Sequence, residues 1–235
     1  MLIEIWGDSW GVPNYINPTE DFSPKGHLEY RLKNDGHYVL NLAQNGAGNL
    51  HSINHGIIRN ASDTWITDCV IWFHTDLGRD IPWEVLYQSE RWDPNVTIKE
   101  VAIETYSLAK STLGHTPLIV IEGQNYTLEP YFSDLLPNAH LIPKVVNRLT
   151  GVPEIPNTHL CKQIADENKR FLKRVNWKRA HRIKEVEIAV EMMRPRFDSK
   201  YFSDDSHPND EGHLFIYNEV VKILNILPHI IHRNN

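Results

Sequence analysis

The sequence predicts an α/β protein, a three-layer sandwich around a central, mostly parallel sheet. Three observations lead there. Short apolar runs of strand length recur along the chain, nearly continuous in apolarity, as strands covered on both faces read. Longer segments with helical patterning alternate with them, which is the rhythm of right-handed β-α-β crossovers. The 235 residues suffice for one large domain, and 41% hydrophobic with 23% charged residues is ordinary for a globular chain.

The first strand is "LIEIW" (2–6), followed by "YVLNLA" (38–43), "CVIWF" (69–73), "LIVIE" (118–122) and "AHLIP" (139–143). All are rich in β-branched and aromatic residues. Helices are expected near 25–34, 49–60, 83–91 and 96–113, the last with Asn95 or Thr97 as cap and Glu100 close behind. A final amphipathic helix follows the turn-rich "SDDSHPNDEGH" (203–213). The segment 158–196 breaks the rhythm: it lacks Gly, has no Pro before Pro195, and is dense in Lys and Arg. It reads as one long helix or two, with an apolar stripe through Leu160, Ile164, Phe171, Val175, Ile183, Val186 and Val190. The expectation is a single domain over 1–235 with a basic helical insertion at about 158–196. That arm admits oligomerisation, a protein partner, an anionic polymer, or simply a solvated face over an apolar stripe.

Composition excludes several classes. A formal net charge of -6 argues against a surface built for nucleic acid, which is not an expected partner. No run of 18 apolar residues marks a membrane span. The N-terminus lacks a basic n-region and a long apolar h-region, so it reads as a strand and not as a signal peptide. Cys69 and Cys161 provide no disulfide framework, which fits a cytoplasmic location. His51 and His55 stand at i, i+4 on an expected helix, a spacing that can bind zinc, but no third ligand accompanies them.

The chemistry concentrates in "WGDSWG" (6–11), directly after the first strand. Gly7 and Gly11 flank Ser9 as G-x-S-x-G, yet an α/β-hydrolase elbow follows several strands, and only six residues precede Gly7. Ser9 instead falls at the carboxyl end of strand one, where crevices of open parallel sheets lie. A serine hydroxyl needs a base and an oriented third group. Asp204 and His207, spaced Asp-x-x-His just before the last helix, can provide both, with Pro208 and Gly212 stiffening the turn. Asp8 reads as a structural residue of the turn.

"GDS" after the first strand, with Asp-x-x-His-Pro near the end, resembles the SGNH, or GDSL-like, hydrolase family. The resemblance runs through four short blocks: Gly7-Asp8-Ser9, "NLAQNGAGN" (41–49), "WFHTDLGRD" (72–80) and "DDSHPNDEGH" (204–213). It implies a flavodoxin-like sandwich, a Ser9–His207–Asp204 triad, and an oxyanion hole formed by the amides of Ser9 and Gly46. The family's Gly-x-Asn after strand three is replaced here, so Thr75 stands as the third donor, with His74 and Asp76 beside it. Trp10, His74 and Arg79 are candidates for the substrate cleft, and Arg79 and Asp80 for a structural pair. The implied activity is hydrolysis of carboxylic esters, of short-acyl or O-acetyl carbohydrate type, through an acyl-enzyme and without metal or cofactor. The third block is similar to SGNH-like proteins of bacteriophages, which adds a virion-associated location to the cytoplasmic one. The competing expectation is a catalytically decayed binding or scaffold protein working through its basic arm.

Overall fold

The computed structural model describes residues 1–12, 24–62, 66–75, 77–81, 94–123, 127–150, 200–202 and 207–227. The expected helix at 83–91, the basic arm at 158–196, and Asp76, Asp204 and Cys161 lie outside the described residues.

Five strands form one parallel sheet in the order β2-β1-β3-β4-β5. They are β1 (Leu2–Trp6), β2 (Tyr38–Asn41), β3 (Cys69–His74), β4 (Leu118–Glu122) and β5 (His140–Ile142). The three-layer α/β sandwich expected from the sequence is therefore what the chain builds, and its strand order is the flavodoxin-like one. The helices are α1 (Leu28–Asn34), α2 (Asn49–Ser62), α3 (Pro94–Leu113), α4 (Tyr131–Leu135), α5 (Val145–Thr150) and α6 (Asp210–Leu224). The two short helices α4 and α5 fall where the sequence pattern predicted none.

Alternation along each strand sends neighbouring side chains to opposite faces. Ile3, Ile5, Ile71, Phe73, Ile119 and Ile121 pack with α1, α5 and α6 on one side of the sheet. Trp6, Val70, Trp72 and Val120 pack with α2, α3 and α4 on the other. Burying each such side chain contributes about 1.5–3 kcal/mol. The glutamate in "LIEIW" is explained by the same alternation. Glu4 points into the α2 side, fully buried, and a buried carboxylate must be paired. Its partners are Arg59 of α2 at 2.8 Å, the indole Nε1 of Trp6 at 2.9 Å, and the Thr67 hydroxyl. No helix among the described residues is long and apolar enough to cross a membrane.

Candidate active site

In this strand order the topological switch lies between β1 and β3, and ligand crevices open there beyond the strands' carboxyl ends. The chain leaves β1 through Gly7 at φ 137°, a conformation L side chains avoid. A Cβ on Gly7 would also stand 2.6 Å from Phe73 Cβ, so β1 can exit against β3 only with glycine. Asp8 then caps a single 3₁₀ turn, Ser9–Gly11, its Oδ1 accepting from the Trp10 amide at 3.0 Å. That turn halts the chain with Ser9 half-buried at the crevice.

The turn after β2 lies against this segment. The Gln44 amide donates to the Gly7 carbonyl at 3.0 Å, and Asn41 Nδ2 donates to the Gly11 carbonyl at 2.7 Å. Gly46 sits in this turn at φ 73°, exposed, with nothing within 4 Å of the space a Cβ would fill. The backbone, and not crowding, is what calls for glycine there. Neither the Ser9 nor the Gly46 amide has an acceptor among the described residues.

From the far end of the sequence, His207 places Nε2 2.6 Å from Ser9 Oγ across 198 residues of chain. With the hydroxyl as donor, Nε2 is the acceptor, which is general-base geometry. The position of His207 is fixed by the start of α6. Asn209 caps that helix, its Oδ1 accepting from the amides of Glu211 and Gly212 at 3.0 and 3.1 Å. The Asn209 amide donates to the Tyr201 carbonyl at 3.0 Å, and Phe202 bridges to Pro208. Gly212 packs so closely on the Tyr201 carbonyl that a Cβ would come within 2.4 Å. Behind the cap, His213 is buried with its ring 4.2 Å from that of His27. Burial lowers the pKa of both, that of His27 to about 4.

Beyond β3 the arrangement differs from the sequence expectation. The Thr75 hydroxyl is buried and donates its single proton to Asp8 Oδ2 at 2.9 Å. That bond directs its proton at a carboxylate, whereas the oxyanion-donor expectation needs it free for the substrate. Asn49 locks Thr75 from both sides: its Nδ2 donates to the Thr75 carbonyl, and its Oδ1 accepts from the Thr75 amide, each at 3.0 Å. His74 is no cleft residue either. It is 4% exposed, on the α3 side of the sheet, with the Tyr106 hydroxyl 3.2 Å from its Nε2. Burial pushes its pKa down to about 3. Trp10, expected to flank the acyl group, is 6% exposed and packs on Phe202 and over Gly123.

Asp80 accepts from the amides of Asn49 and Leu50 at 3.0 and 3.1 Å and so caps α2. Arg79 stays partly exposed and bonds Asp8 Oδ2 at 3.1 Å. The i, i+4 histidines of α2 stack at 4.3 Å and both meet the Gln44 side chain. Among the described residues no group of three potential ligands gathers for a metal ion. Cys69 is buried, its thiol pushed up to about 12, so it offers no thiolate. Asn49, Asp80 and Asn209 carry much of the site's geometry, yet only the capping position of Asn209 before "DEGH" left a signal in the sequence.

The fold and site together define a parallel α/β sandwich carrying a hydrogen-bonded Ser–His pair at its switch point. No family model matches the chain, and no curated protein matches it in sequence. Several solved structures are similar to it. One is the psychrotrophic esterase EstA from Pseudoalteromonas sp., inhibited by monoethylphosphonate, with 12% identity, TM-score 0.49, and 95% of this chain and 98% of that chain covered. A second is a member of the lipolytic protein G-D-S-L family from Veillonella parvula, with 13% identity, TM-score 0.45, and coverage of 97% and 100%. A third is AlinE4, an SGNH-hydrolase family esterase, with 14% identity, TM-score 0.42, and coverage of 74% and 96%.

Proposed function

We propose that this chain is a serine hydrolase of carboxylic esters. The observation that carries the reading is the 2.6 Å contact between Ser9 Oγ and His207 Nε2 at the sheet's switch point. Ser9 Oγ attacks the acyl carbonyl while His207 Nε2 takes its proton. The tetrahedral oxyanion is received by the amides of Ser9 and Gly46, which have no protein acceptor among the described residues. His207 then hands the proton to the leaving alkoxide, and the carbonyl–alkoxide bond breaks to leave an acyl-Ser9. Water, deprotonated by His207, attacks that ester and releases the carboxylic acid as Ser9 recovers its proton.

Asp204, three residues before His207, is assigned as the orienting carboxylate from the motif resemblance. The same resemblance supports short-acyl or O-acetyl carbohydrate esters as the substrate class. A second reading, a decayed site that only binds, draws on the hydrogen bond from the Thr75 hydroxyl to Asp8. Hydrolysis of p-nitrophenyl acetate by the wild type and by Ser9→Ala separates the two. Turnover that vanishes in the variant is expected. Turnover retained by Ser9→Ala overturns the assignment of Ser9, and none in either protein favours the binding reading.

A further inference from the structure

Arg79 belongs to neither the nucleophile nor the base, yet it contacts the Asp8 carboxylate beside Ser9 and the Ala47 carbonyl beside Gly46. Its Nη1 bonds Asp8 Oδ2 at 3.1 Å and makes a longer contact, 3.5 Å, to the carbonyl of Ala47. Asp8 immediately precedes Ser9, and Ala47 immediately follows Gly46. One guanidinium therefore spans from the residue beside one expected amide donor to the residue beside the other.

Two further observations show that this bridge is built into the site. Asp8 is itself held: Oδ1 accepts the Trp10 amide at 3.0 Å, and Oδ2 takes the Thr75 hydroxyl at 2.9 Å as well as Arg79. The backbone on the other side is pressed against the same loop, since a Cβ on Gly48 would stand 2.1 Å from Asp80 Oδ1. The side chain of Asp8 is 11% exposed, and a carboxyl group buried to that degree must find hydrogen-bond partners. Both contacts come from Nη1, whose two N–H groups are fixed in the guanidinium plane and so set the span between the acceptors, whereas an ammonium rotates freely on a flexible stem.

We propose that Arg79 is a positioning residue of the oxyanion hole, setting the separation of the Ser9 and Gly46 amides by clamping Asp8 to Ala47. The inference rests on the serine-hydrolase reading. Its role is to hold the two backbone donors so that they converge on the charge that develops in the transition state. Misplacement of such groups by about 1 Å costs on the order of 100-fold in rate.

The test is steady-state hydrolysis of p-nitrophenyl acetate by wild type, Arg79→Met and Arg79→Lys, with urea unfolding of each and addition of methylguanidinium to Arg79→Met. Expected is a fall in kcat of about 10- to 100-fold for Arg79→Met, with KM changed less than about threefold. Arg79→Lys should recover only part of the loss, because an ammonium restores the Asp8 pairing without the fixed span. Methylguanidinium should raise kcat of Arg79→Met and leave that of wild type unchanged. A purely structural role would lower the unfolding midpoint without such rescue, and that result overturns the proposal. So does an unchanged kcat, or a loss confined to KM. Labelling of wild-type Ser9 by a fluorophosphonate, done first, separates the premises. Labelling with no Arg79 effect refutes the clamp alone, whereas absence of labelling and turnover in wild type refutes the hydrolase reading and the clamp together.

Discussion

Strands β1 and β3 run side by side, with Trp6 opposite Trp72, and end at the same crevice. The chain that follows each does opposite work. After β1, a glycine exit and a single 3₁₀ turn leave Ser9 half-buried within 2.6 Å of His207. At the end of β3 and just beyond it, the polar side chains turn inward: His74 lies against Tyr106, and Thr75 donates a hydrogen bond to Asp8. Position at the carboxyl end of a central strand thus does not by itself make a residue reactive. What decides is whether its polar atoms are already satisfied by the protein. The β1 turn offers a hydroxyl to a base, and the β3 loop spends its hydrogen bonds on holding that turn in place.

The most severe way to break the contrast is to remove the hydrogen-bonded Ser9–His207 pair. Ser9→Ala and His207→Ala should each lower kcat/KM for p-nitrophenyl acetate by about 10⁴-fold or more, with little change in the urea midpoint. A loss of less than tenfold in either variant would place the chemistry elsewhere. On the β3 side, Asn49→Ala should act through stability. It strips partners from the buried amide and carbonyl of Thr75, at a cost of about 2–4 kcal/mol in urea unfolding. A variant as stable as wild type would show that the loop holds itself without Asn49.

Thr75 sharpens the comparison further. Thr75→Val removes one of several bonds to Asp8, so about 1 kcal/mol of stability and less than tenfold in kcat should be lost, with Thr75→Ser restoring both. A drop of about 10²–10³ in kcat at unchanged stability would instead make Thr75 an oxyanion donor. A further effect concerns acid. His27 Nδ1 accepts from the Glu29 amide at 3.2 Å and thereby caps α1, and burial lowers its pKa to about 4. The unfolded chain, titrating near 6.5, binds more protons between those values, so stability is full above about pH 6.5 and falls as the pH drops toward 4. His74 extends the same trend toward about 3. His27→Asn, which keeps a capping side chain without the titration, should flatten the fall of the urea midpoint between pH 6.5 and 4. An identical pH slope in variant and wild type would remove His27 as its cause.

Much of the fold was legible because its signal is local. The β1, β3 and β4 runs are nearly continuous in apolarity, and each appears within a residue of where the pattern put it. Helices α4 and α5 span 5 and 6 residues, too few to show a 3.6-residue period, and they form where tertiary packing supports them. The meeting of Ser9 and His207 was legible because each sits in a short motif next to a strand or helix boundary. The roles of Thr75 and His74 were not. Thr75 is defined by a carboxylate 67 residues away, and His74 by a tyrosine 32 residues away on α3. Trp10 likewise stood as a candidate for the substrate cleft, and only the proximity of Gly123 and Phe202 shows it to be core. Contacts of this kind leave no periodicity to read.

The central claim is that Ser9 is a nucleophile activated by His207. The most direct measurement is the intact mass of the protein after incubation with a fluorophosphonate, followed by peptide mapping. Attack by Ser9 Oγ forms an O–P bond and expels fluoride, so wild type should gain one phosphonyl adduct mapped to Ser9. The adduct should be absent from Ser9→Ala and form far more slowly in His207→Ala. A wild type that gains no adduct, or gains one on another residue, would contradict the account.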